Sequence, residues 1–431
     1  MDNVLTPYAI WMIIVFVIGY VLITVEHITK VNKTSIALLM AIICWWLQFL
    51  NEGCTAETGV ECFGQHMNKI SQIVFFLIGA LAIVELISAH QGFKVIANLI
   101  QMSSKKKMLW TVGFMAFFLS SVLDNLTTTI VLATLLRKLL PKSEERLLIG
   151  SGIVIAANAG GVWTPIGDVT TTMLWIGGQL TTPYMLRDLF LPSFACFIVA
   201  FLFISTMLKG NFEIHRTEEV NESAPLSGSI FFLGIGALIL VPVFKMITGL
   251  PPFMGILFGF CVLWVITDLV HRSYEDREHL KASTALGRID LSSTLFFLGI
   301  LLCIDALDSA QLLDKLAIWL DDRVGDVTIV ATLIGLASAV IDNVPLVAAS
   351  MGMYDLTHHP VNSQFWQLVA YCAGTGGSIL IIGSAAGVVF MGLEQVDFFW
   401  YLRRIAFPAL IGYFAGIGVY LLWITYIINA I

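Results

Sequence analysis

The stretch Leu119-Ser-Ser-Val-Leu-Asp124-Asn125-Leu-Thr-Thr-Thr129 decides how the chain is interpreted, because it places a carboxylate among about thirty otherwise apolar residues. A second stretch, Ala337-Ser-Ala-Val-Ile-Asp342-Asn343-Val-Pro345, repeats its Ser-x-x-x-Asp-Asn pattern 218 residues later. A carboxylate at membrane depth costs at least about 2.5–3.5 kcal/mol on insertion scales. Two of them in matching contexts favour a duplicated functional site over two aspartates that are only salt-bridge or hydrogen-bond partners inside a bundle.

The composition is that of a polytopic membrane protein. Of 431 residues, 58% are hydrophobic and 12% charged, and the mean hydropathy is +0.88, whereas soluble domains carry about 25% charged residues. The net charge of −7 argues against a nucleic-acid partner. The N-terminus lacks the basic segment of a cleaved signal peptide.

Seven scattered cysteines form no CxxC pair or metal-ligand spacing, so we expect no cofactor and no resident metal. Cys54 and Cys62 share one polar loop, and whether they form a disulfide stays open.

Apolar runs predict an all-α fold with about ten transmembrane spans. These runs cover about 7–25, 33–50, 70–88, 147–180, 189–208, 229–247, 253–270, 292–308, 365–393 and 405–428. Two further runs, about 108–136 and 328–354, hold the Asp-Asn pairs. The largest polar loops between runs are 51–69, 209–227, 271–291 and 309–327.

Basic residues predict the orientation, because Lys and Arg concentrate in cytoplasmic loops. The run 108–136 is flanked by Lys105-Lys-Lys107 and by Arg137-Lys138, so both of its ends should be cytoplasmic. Twenty-nine residues cannot make two full spans. We therefore predict a re-entrant hairpin whose tip, near Asp124-Asn125, reaches the middle of the bilayer.

The distribution of basic residues, followed from span to span, places the second Asp-Asn hairpin on the opposite side. Its flanks, Asp321-Asp-Arg-Val-Gly-Asp326 and Tyr354-Asp-Leu-Thr-His-His359, are poor in Lys and Arg, so it should enter from outside. Carried to both ends of the chain, the count predicts that both termini are extracytoplasmic.

Three landmarks indicate an internal repeat. Phe75-Phe-Leu recurs as Phe296-Phe-Leu, the Ser-x-x-x-Asp-Asn pattern recurs, and Gly160-Gly161 recurs as Gly376-Gly377, at offsets of 221, 218 and 216 residues. The charge count makes the two copies opposite in orientation, which is the architecture of secondary transporters. We predict a first inverted repeat over 1–208, a cytoplasmic linker over 209–228 and a second repeat over 229–431.

The hairpin tips carry hard oxygen ligands of the kind that suit small cations. Asp124, Asn125, Asp342 and Asn343 are the predicted ligands of a transported Na+. Ser120, Thr127 and Ser338 are expected to complete the ion-binding shell without adding charge.

The runs 147–180 and 365–393 should each be a broken helix, because Gly and Pro interrupt them. Asn158, Thr164 and Asp168 of the first are expected to face the site, with Asp168 as a third acid that is either a ligand or a proton relay. The alternative is a proline kink that merely catches polar residues. Thr375 and Ser378 mark the matching break, which carries no aspartate, so the site should be asymmetric.

Three acids lie near the ends of the repeat-related runs 70–88 and 292–308. Glu85, Asp305 and Asp308 are either proton-relay groups or interfacial charges, and the sequence leaves both interpretations open.

Ser120-x-x-x-Asp124-Asn125, the segment Asn158–Asp168 with Gly160-Gly161 and Thr164-Pro165, and Ser338-x-x-x-Asp342-Asn343 together resemble the NhaD family of sodium/proton antiporters. That family belongs to a superfamily with divalent anion/sodium symporters and arsenite efflux permeases. The resemblance covers nearly the whole chain. It implies inverted repeats, each with a re-entrant hairpin and a broken helix, a homodimer, and a bacterial-type inner (plasma) membrane, although organelle versions exist.

Our hypothesis is exchange of cytoplasmic Na+ or Li+ for external H+, with competition at Asp124 and Asp342 as the coupling. The resemblance also implies that tips of symporter relatives read Ser-Asn-Thr, where this chain has Asp in place of Ser. A fixed negative charge there should repel a dianion and favour a cation.

Two other functions are compatible with parts of the sequence. A Na+-coupled carboxylate or anion symporter of the same superfamily is the runner-up, but both tips are acidic. An intramembrane aspartyl protease would pair Gly167-Asp168 with Tyr354-Asp355, yet proteolysis needs no inverted repeat. We therefore expect a transporter and not an enzyme.

Overall fold

The computed structural model describes residues 6–24, 26–52, 56–97, 102–212, 225–272 and 274–428. Within these ranges the chain is α-helical, and the described β-structure is one isolated bridge between Ser104 and Asn211. The first half holds α1 (Pro7–Thr24), α2 (Glu26–Thr29), α3 (Lys33–Glu52), α4 (Ala56–Ala89), α5 (Lys94–Ala97), α6 (Lys105–Leu123), α7 (Asn125–Leu139), α8 (Glu144–Gly161), α9 (Val169–Ile176), α10 (Thr182–Tyr184) and α11 (Phe190–Met207).

The second half holds a further set of long and short helices. It holds α12 (Ser227–Thr248), α13 (Pro252–His271), α14 (Ala282–Leu286), α15 (Leu291–Ser309), α16 (Leu312–Val324), α17 (Val327–Ala337), α18 (Asn343–Met353), α19 (Gln364–Gly376), α20 (Ala385–Glu394), α21 (Phe398–Arg404) and α22 (Ala406–Trp423). Single turns of π-helix cover Met185–Leu189 and Ile424–Ile428, and a 3₁₀ segment covers Glu275–Leu280.

Nine helices in the described ranges are long and apolar enough to cross a membrane. Eight of them coincide with predicted runs, and the ninth is α6. The two remaining predicted runs, 147–180 and 365–393, are broken as predicted, at 162–168 and at 377–384. The all-α polytopic membrane fold is therefore confirmed.

Two predicted loops are wrong in part, because polar sequence does not by itself end a helix. The predicted loop 51–69 is helical from Ala56 onward, so α4 is 34 residues long. The predicted loop 309–327 contains the amphipathic helix α16. Charged residues with good helix propensity continue a helix beyond its apolar segment. Two further predictions fall outside the described residues. They concern the side chains of Cys54 and Cys62, and most of the linker 209–228.

The first Asp-Asn segment returns to the side from which it starts. The ammonium of Lys105, at the start of α6, lies 2.7 Å from a carboxylate oxygen of Glu145, at the start of α8. Leu140, just after α7, accepts a hydrogen bond from the Arg146 guanidinium at 2.8 Å. Both ends of 105–140 thus meet the first turn of α8, and the helix break at Asp124 lies at the far end.

The second Asp-Asn segment has the same shape. Gln364, at the start of α19, donates a hydrogen bond to the Thr328 hydroxyl at the start of α17. Tyr354, just after α18, packs against Phe365 with ring centroids 4.5 Å apart. Both ends of 327–354 therefore meet the first turn of α19, and the break at 338–342 lies at the far end.

The broken helices run in opposite directions past each other. Glu394, at the end of α20, pairs with Arg146 at the start of α8. At the other end, the carbonyl of Gln179, just after α9, accepts a hydrogen bond from the amide of Asn362, just before α19. Other helices also pack across the two halves in matching pairs. α3 packs on α15 and α13 packs on α4; likewise, α7 packs on α20 and α18 packs on α9.

The first helical segment of each broken helix, α8 and α19, lies at the centre of the bundle. Both segments are buried along nearly their whole length. Gly160 lies so close to the Phe117 carbonyl that no side chain would fit, and Gly376 meets the Gly335 carbonyl in the same way. Only glycine permits such an approach of one backbone to another. These contacts hold each Asp-Asn hairpin tightly against its broken helix.

Candidate functional site

One cavity lies where both hairpin tips and both helix breaks meet. It offers about 60 Å³ of space that water can occupy, enough for a few waters or a small partly hydrated cation. Its polar lining consists of Asp124, Asn125, Asp168, Thr172, Asp290, Ser293, Thr294, Asp342 and Asn343. The rest is apolar, and α4 contributes more of it than any other helix. The structure therefore places Asp124 and Asp342, the two aspartates singled out in the sequence, at the same cavity.

Asp124 interrupts the first hairpin and caps its second helix. Its two carboxylate oxygens accept hydrogen bonds from the Thr127 amide at 2.7 Å and from the Thr127 hydroxyl at 2.9 Å. Its backbone has φ 82° and ψ 161°, a region that is nearly restricted to glycine and costs other residues about 1–3 kcal/mol. The surrounding contacts therefore hold this aspartate in one unfavourable conformation.

Asp342 occupies the matching position with looser geometry. Its carboxylate accepts one hydrogen bond, from the Val344 amide at 3.3 Å, and its φ of −48° is unstrained. The break before it spans five residues, 338–342, whereas the first hairpin is interrupted at Asp124 alone. Both carboxylates are half-buried.

Asp168 connects the two hairpin tips. One of its carboxylate oxygens, Oδ2, accepts a hydrogen bond from the Asn125 amide at 2.9 Å and another from the Asn343 amide at 3.3 Å. The other oxygen caps α9 by accepting from the Thr170 amide at 3.1 Å. Asp168 is 2% exposed. The residue expected as a third acid thus lies at the centre of the polar network.

Asn158 extends this network to the second helix break. Its side-chain oxygen accepts from Asn125 at 3.0 Å, and its amide donates to the Ser384 hydroxyl at 2.9 Å. Ser384 in turn caps α20 through the Gly387 amide. Because Asn158 and Ser384 come from different halves, this contact links the two breaks directly.

Four helix N-termini converge on the cavity, those of α7, α9, α18 and α20. Each N-terminus carries roughly half a positive charge, and the four together amount to about two. Such ends attract anions unless acidic side chains cap them. Here aspartates cap three of these ends and Ser384 caps the fourth, so the three carboxylates outweigh these four helix ends by about one negative charge. Asp290, which also lines the cavity, is exposed and caps the N-terminus of α15, so it adds further negative charge at the edge of the cavity.

Five predicted hydroxyl ligands point elsewhere in this conformation. Their hydroxyls donate to backbone carbonyls, and none of them lines the cavity: Ser120 bonds Ala157, Thr164 bonds Ser121, Ser338 bonds Ala373, Thr375 bonds Tyr371 and Ser378 bonds Thr375. The Ser120 and Ser338 bonds are equivalent in the two halves, at 2.6 and 2.7 Å. These hydroxyls fasten hairpins and broken helices, which differs from the expected role in an ion shell.

The acids expected as relays lie outside the cavity lining. Glu85 follows Val84, which lines the cavity, but the described lining does not include Glu85 itself. Asp305 pairs with His66 at 3.2 Å. Asp355, the second acid that a protease would need, is exposed and bonds His358 at 2.8 Å, whereas Asp168 is buried.

Some polar residues of the site were not among the predicted ligands. Ser384 belongs to the predicted break in the second half, and it stands 216 residues after Asp168, the same offset as the paired glycines, so the repeat marks it as the partner position of Asp168. Thr172 lies on α9 beside its capping aspartate. Asp290, Ser293 and Thr294 at the start of α15 are contributed by packing, and no local motif marks them.

Comparison with known proteins places the chain among membrane transporters. The sequence profile of the citrate transporter family matches residues 20–367. Sodium/proton antiporter 2 of Arabidopsis thaliana is 51% identical over 95% of this chain and 98% of its own length, and sodium/proton antiporter 1 is 52% identical over 95% and 72%. The Na+/H+ antiporter NhaD of Alkalimonas amylolytica is 28% identical over 96% of this chain and 90% of its own length.

Proposed function

The chain belongs to the citrate transporter family, and we propose that within this family it is a sodium/proton antiporter of the NhaD type. It exchanges Na+ for H+ across a membrane that it crosses several times. Relatives named as sodium/proton antiporters match nearly its whole length at up to 52% identity. In our proposal Na+ leaves the cytoplasm, external H+ enters, and Li+ is accepted in place of Na+.

The observation that carries the proposal is the charge balance of the cavity. Four helix N-termini alone would make a site for anions. Asp124, Asp168 and Asp342 reverse the sign and leave on the order of one negative charge, which one Na+ or one proton neutralises. The same fold with uncharged tips would suit a carboxylate, so the aspartates explain why this member takes a cation.

Competition for the carboxylates provides the coupling. A desolvated carboxylate without a counter-ion is unfavourable in the membrane, so it binds either a proton or a metal ion. Asp124 and Asp342 would hold Na+ together with the oxygens of Asn125 and Asn343. Asp168, hydrogen-bonded to both asparagines, would sense which ion is bound and titrate together with the other two acids.

Alternating access follows from the arrangement of the two halves. The opposed directions of α8 and α19 and the exchanged helix neighbours support inverted repeats with two re-entrant hairpins. The hairpins and broken helices would move together against α3, α4, α13 and α15. With this mechanism we propose the finer points of topology: both termini opposite the basic loops, a bacterial-type inner membrane and a homodimer.

Proton movement into proteoliposomes of the purified protein tests the function. A pH-sensitive dye inside the vesicles reports flux when NaCl, LiCl, KCl or choline chloride is added outside. Added Na+ or Li+ should raise the internal pH, because entering cations expel protons, and no carboxylate should be required. A Na+ gradient that moves no protons but drives uptake of labelled citrate would show a symporter instead.

A further inference from the structure

A second and much larger cavity lies at the open end of the first hairpin, apart from the ion site. It has a volume of about 800 Å³. It opens where the end of α7, the start of α8 and residues 211–212 meet, on the side that the basic loops predict to be cytoplasmic. Its lining includes Lys105, Arg137, Lys138, Glu145, Arg146 and Phe212.

One wall of this cavity is held in place by the chain that leaves α11. The amide of Phe212 donates to the Ser103 carbonyl at 2.7 Å, and the amide of Lys105 donates to the Gly210 carbonyl at 3.3 Å. The Lys105 ammonium also lies 5.2 Å from the centre of the Phe212 ring. The chain between the two halves is therefore fastened to the base of the first hairpin at the cavity.

Among the residues that the structure describes, positive charge exceeds negative charge around the cavity by two. Lys105, Arg137, Lys138 and Arg146 line it, and the acids that face them are Glu145 and Glu394. Glu145 is paired with Lys105 at 2.7 Å. Glu394 is 2.7 Å from Arg146 and 3.8 Å from Arg137. Glu144 lies nearby but pairs with Arg404 at 3.0 Å.

Arg146 supplies an independent indication of a ligand. It is 8% exposed, and its two terminal nitrogens donate to Leu140 and Glu394. Its Nε is buried and has no hydrogen-bond partner. A buried donor without a partner is unfavourable, and a small movement of the Arg146 side chain toward the cavity would let an anion oxygen satisfy it.

We propose that this cavity binds a phosphate-bearing anion, either the headgroup of an anionic lipid or a free phosphate. Arg and Lys side chains make strong charge-assisted hydrogen bonds to phosphate oxygens. Basic pockets between membrane helices on the cytoplasmic side recognise lipid headgroups. A bound phosphate would link α7, α8 and the chain after α11, and so brace the hairpin that carries Asp124.

The test compares two double variants with the same change in charge. Arg137→Gln/Lys138→Gln removes the two exposed cations of this cavity and leaves Arg146 with Glu394. Lys106→Gln/Lys107→Gln removes two cations from the same basic surface that do not line the cavity, and serves as the control. Both variants and the wild type are purified as full chains in a neutral detergent.

Thermal unfolding is followed in sodium phosphate and in sodium chloride of equal ionic strength and Na+ concentration. In a second arm, exchange is measured in vesicles of phosphatidylcholine with and without phosphatidylglycerol. We expect the first double variant to require about tenfold more phosphate for the same stabilisation, or to lose the response to phosphatidylglycerol, while the control behaves like the wild type.

The arm that responds identifies the source of the phosphate. Stabilisation by inorganic phosphate indicates a soluble anion, and a response to phosphatidylglycerol alone indicates a lipid headgroup. If neither addition affects the wild type more than the Arg137→Gln/Lys138→Gln variant, the proposal is overturned. Basal Na+/H+ exchange is not at issue in either case, because the cavity lies apart from the ion site.

Discussion

The two hairpin tips share the pattern Ser-x-x-x-Asp-Asn but differ in how the aspartate is held. Asp124 lies in a glycine-like backbone conformation and makes two side-chain hydrogen bonds to Thr127. Asp342 follows a longer break, has an ordinary backbone and makes one long hydrogen bond. The same motif therefore gives a rigid tip in the first half and a looser tip in the second.

The helix breaks differ in the same direction. In the first half Asp168 caps α9, and in the second half Ser384 caps α20 at the equivalent position. Of the three carboxylates at the hairpin tips and helix breaks, two thus come from the first half. A duplicated fold can therefore supply symmetric helix ends while side-chain differences set the charge.

Replacement of Asp168 should have the largest effect. Asp168→Asn removes the carboxylate that accepts from both Asn125 and Asn343, so the two tips lose their common partner. We expect Na+-driven proton flux in proteoliposomes to vanish. Asp326→Asn is the matched control, because Asp326 caps α17 on the exposed surface. A flux near the wild-type level would show that the first half does not dominate the site.

The tip aspartates should come next. Asp124→Asn and Asp342→Asn each remove one carboxylate from the cavity, and each should reduce exchange by at least about a hundredfold. Everted vesicles with a pH-sensitive dye measure this as loss of Na+-induced dequenching, with protein insertion checked in parallel. Normal exchange in both variants would refute the ion-site assignment, and loss in one alone would show that the tips have different roles.

Adding the missing fourth acid should refine the comparison. Ser384→Asp keeps a good helix cap and places a carboxylate beside Asn158. The extra negative charge favours bound protons, so the pH of half-maximal exchange should rise by roughly one unit. Ser384→Asn, which is capping but neutral, serves as the control. An unchanged pH profile for Ser384→Asp would contradict the charge balance proposed for the cavity.

Glycine substitution separates the strained tip from the relaxed one. Asp124→Gly relieves the unfavourable backbone conformation as it removes the cap, whereas Asp342→Gly only removes a cap and adds chain flexibility. We expect Asp342→Gly to be less stable than Asp124→Gly by about 1–2 kcal/mol in detergent unfolding. Equal stabilities would mean that the two tips are held alike.

An acid outside the cavity should have no effect. Hydrogen bonds from His358 lower the pKa of Asp355 to about 2. These hydrogen bonds therefore stabilise the folded state at every pH above the ordinary pKa of an aspartate. They are lost only in strong acid, as the pH falls through the lowered pKa. Asp355→Asn should leave exchange unchanged from pH 6 to 9. A shifted pH profile would show that titration at the membrane surface contributes.

The sequence allowed the broad architecture to be predicted, and packing supplied what it could not. Apolar length identifies spanning helices, and Gly160-Gly161 and Gly376-Gly377 locate the helix breaks, because both signals are local. Side-chain direction is not local: the hydroxyls of Ser120 and Ser338 could equally face an ion or the neighbouring backbone, and they bond the backbone. The central position of Asp168 depends on contacts with residues 43 and 175 positions away, which no spacing rule predicts.

The binding of Na+ to the purified protein as a function of pH tests the central claim most directly. If Na+ and protons compete for the three carboxylates, the Kd for Na+ should rise as the pH falls. For each proton that Na+ displaces, the rise should be up to about tenfold per pH unit. Binding should also release protons into a weakly buffered solution. An affinity for Na+ that stays constant from pH 6 to 9, with no proton release, would contradict the account.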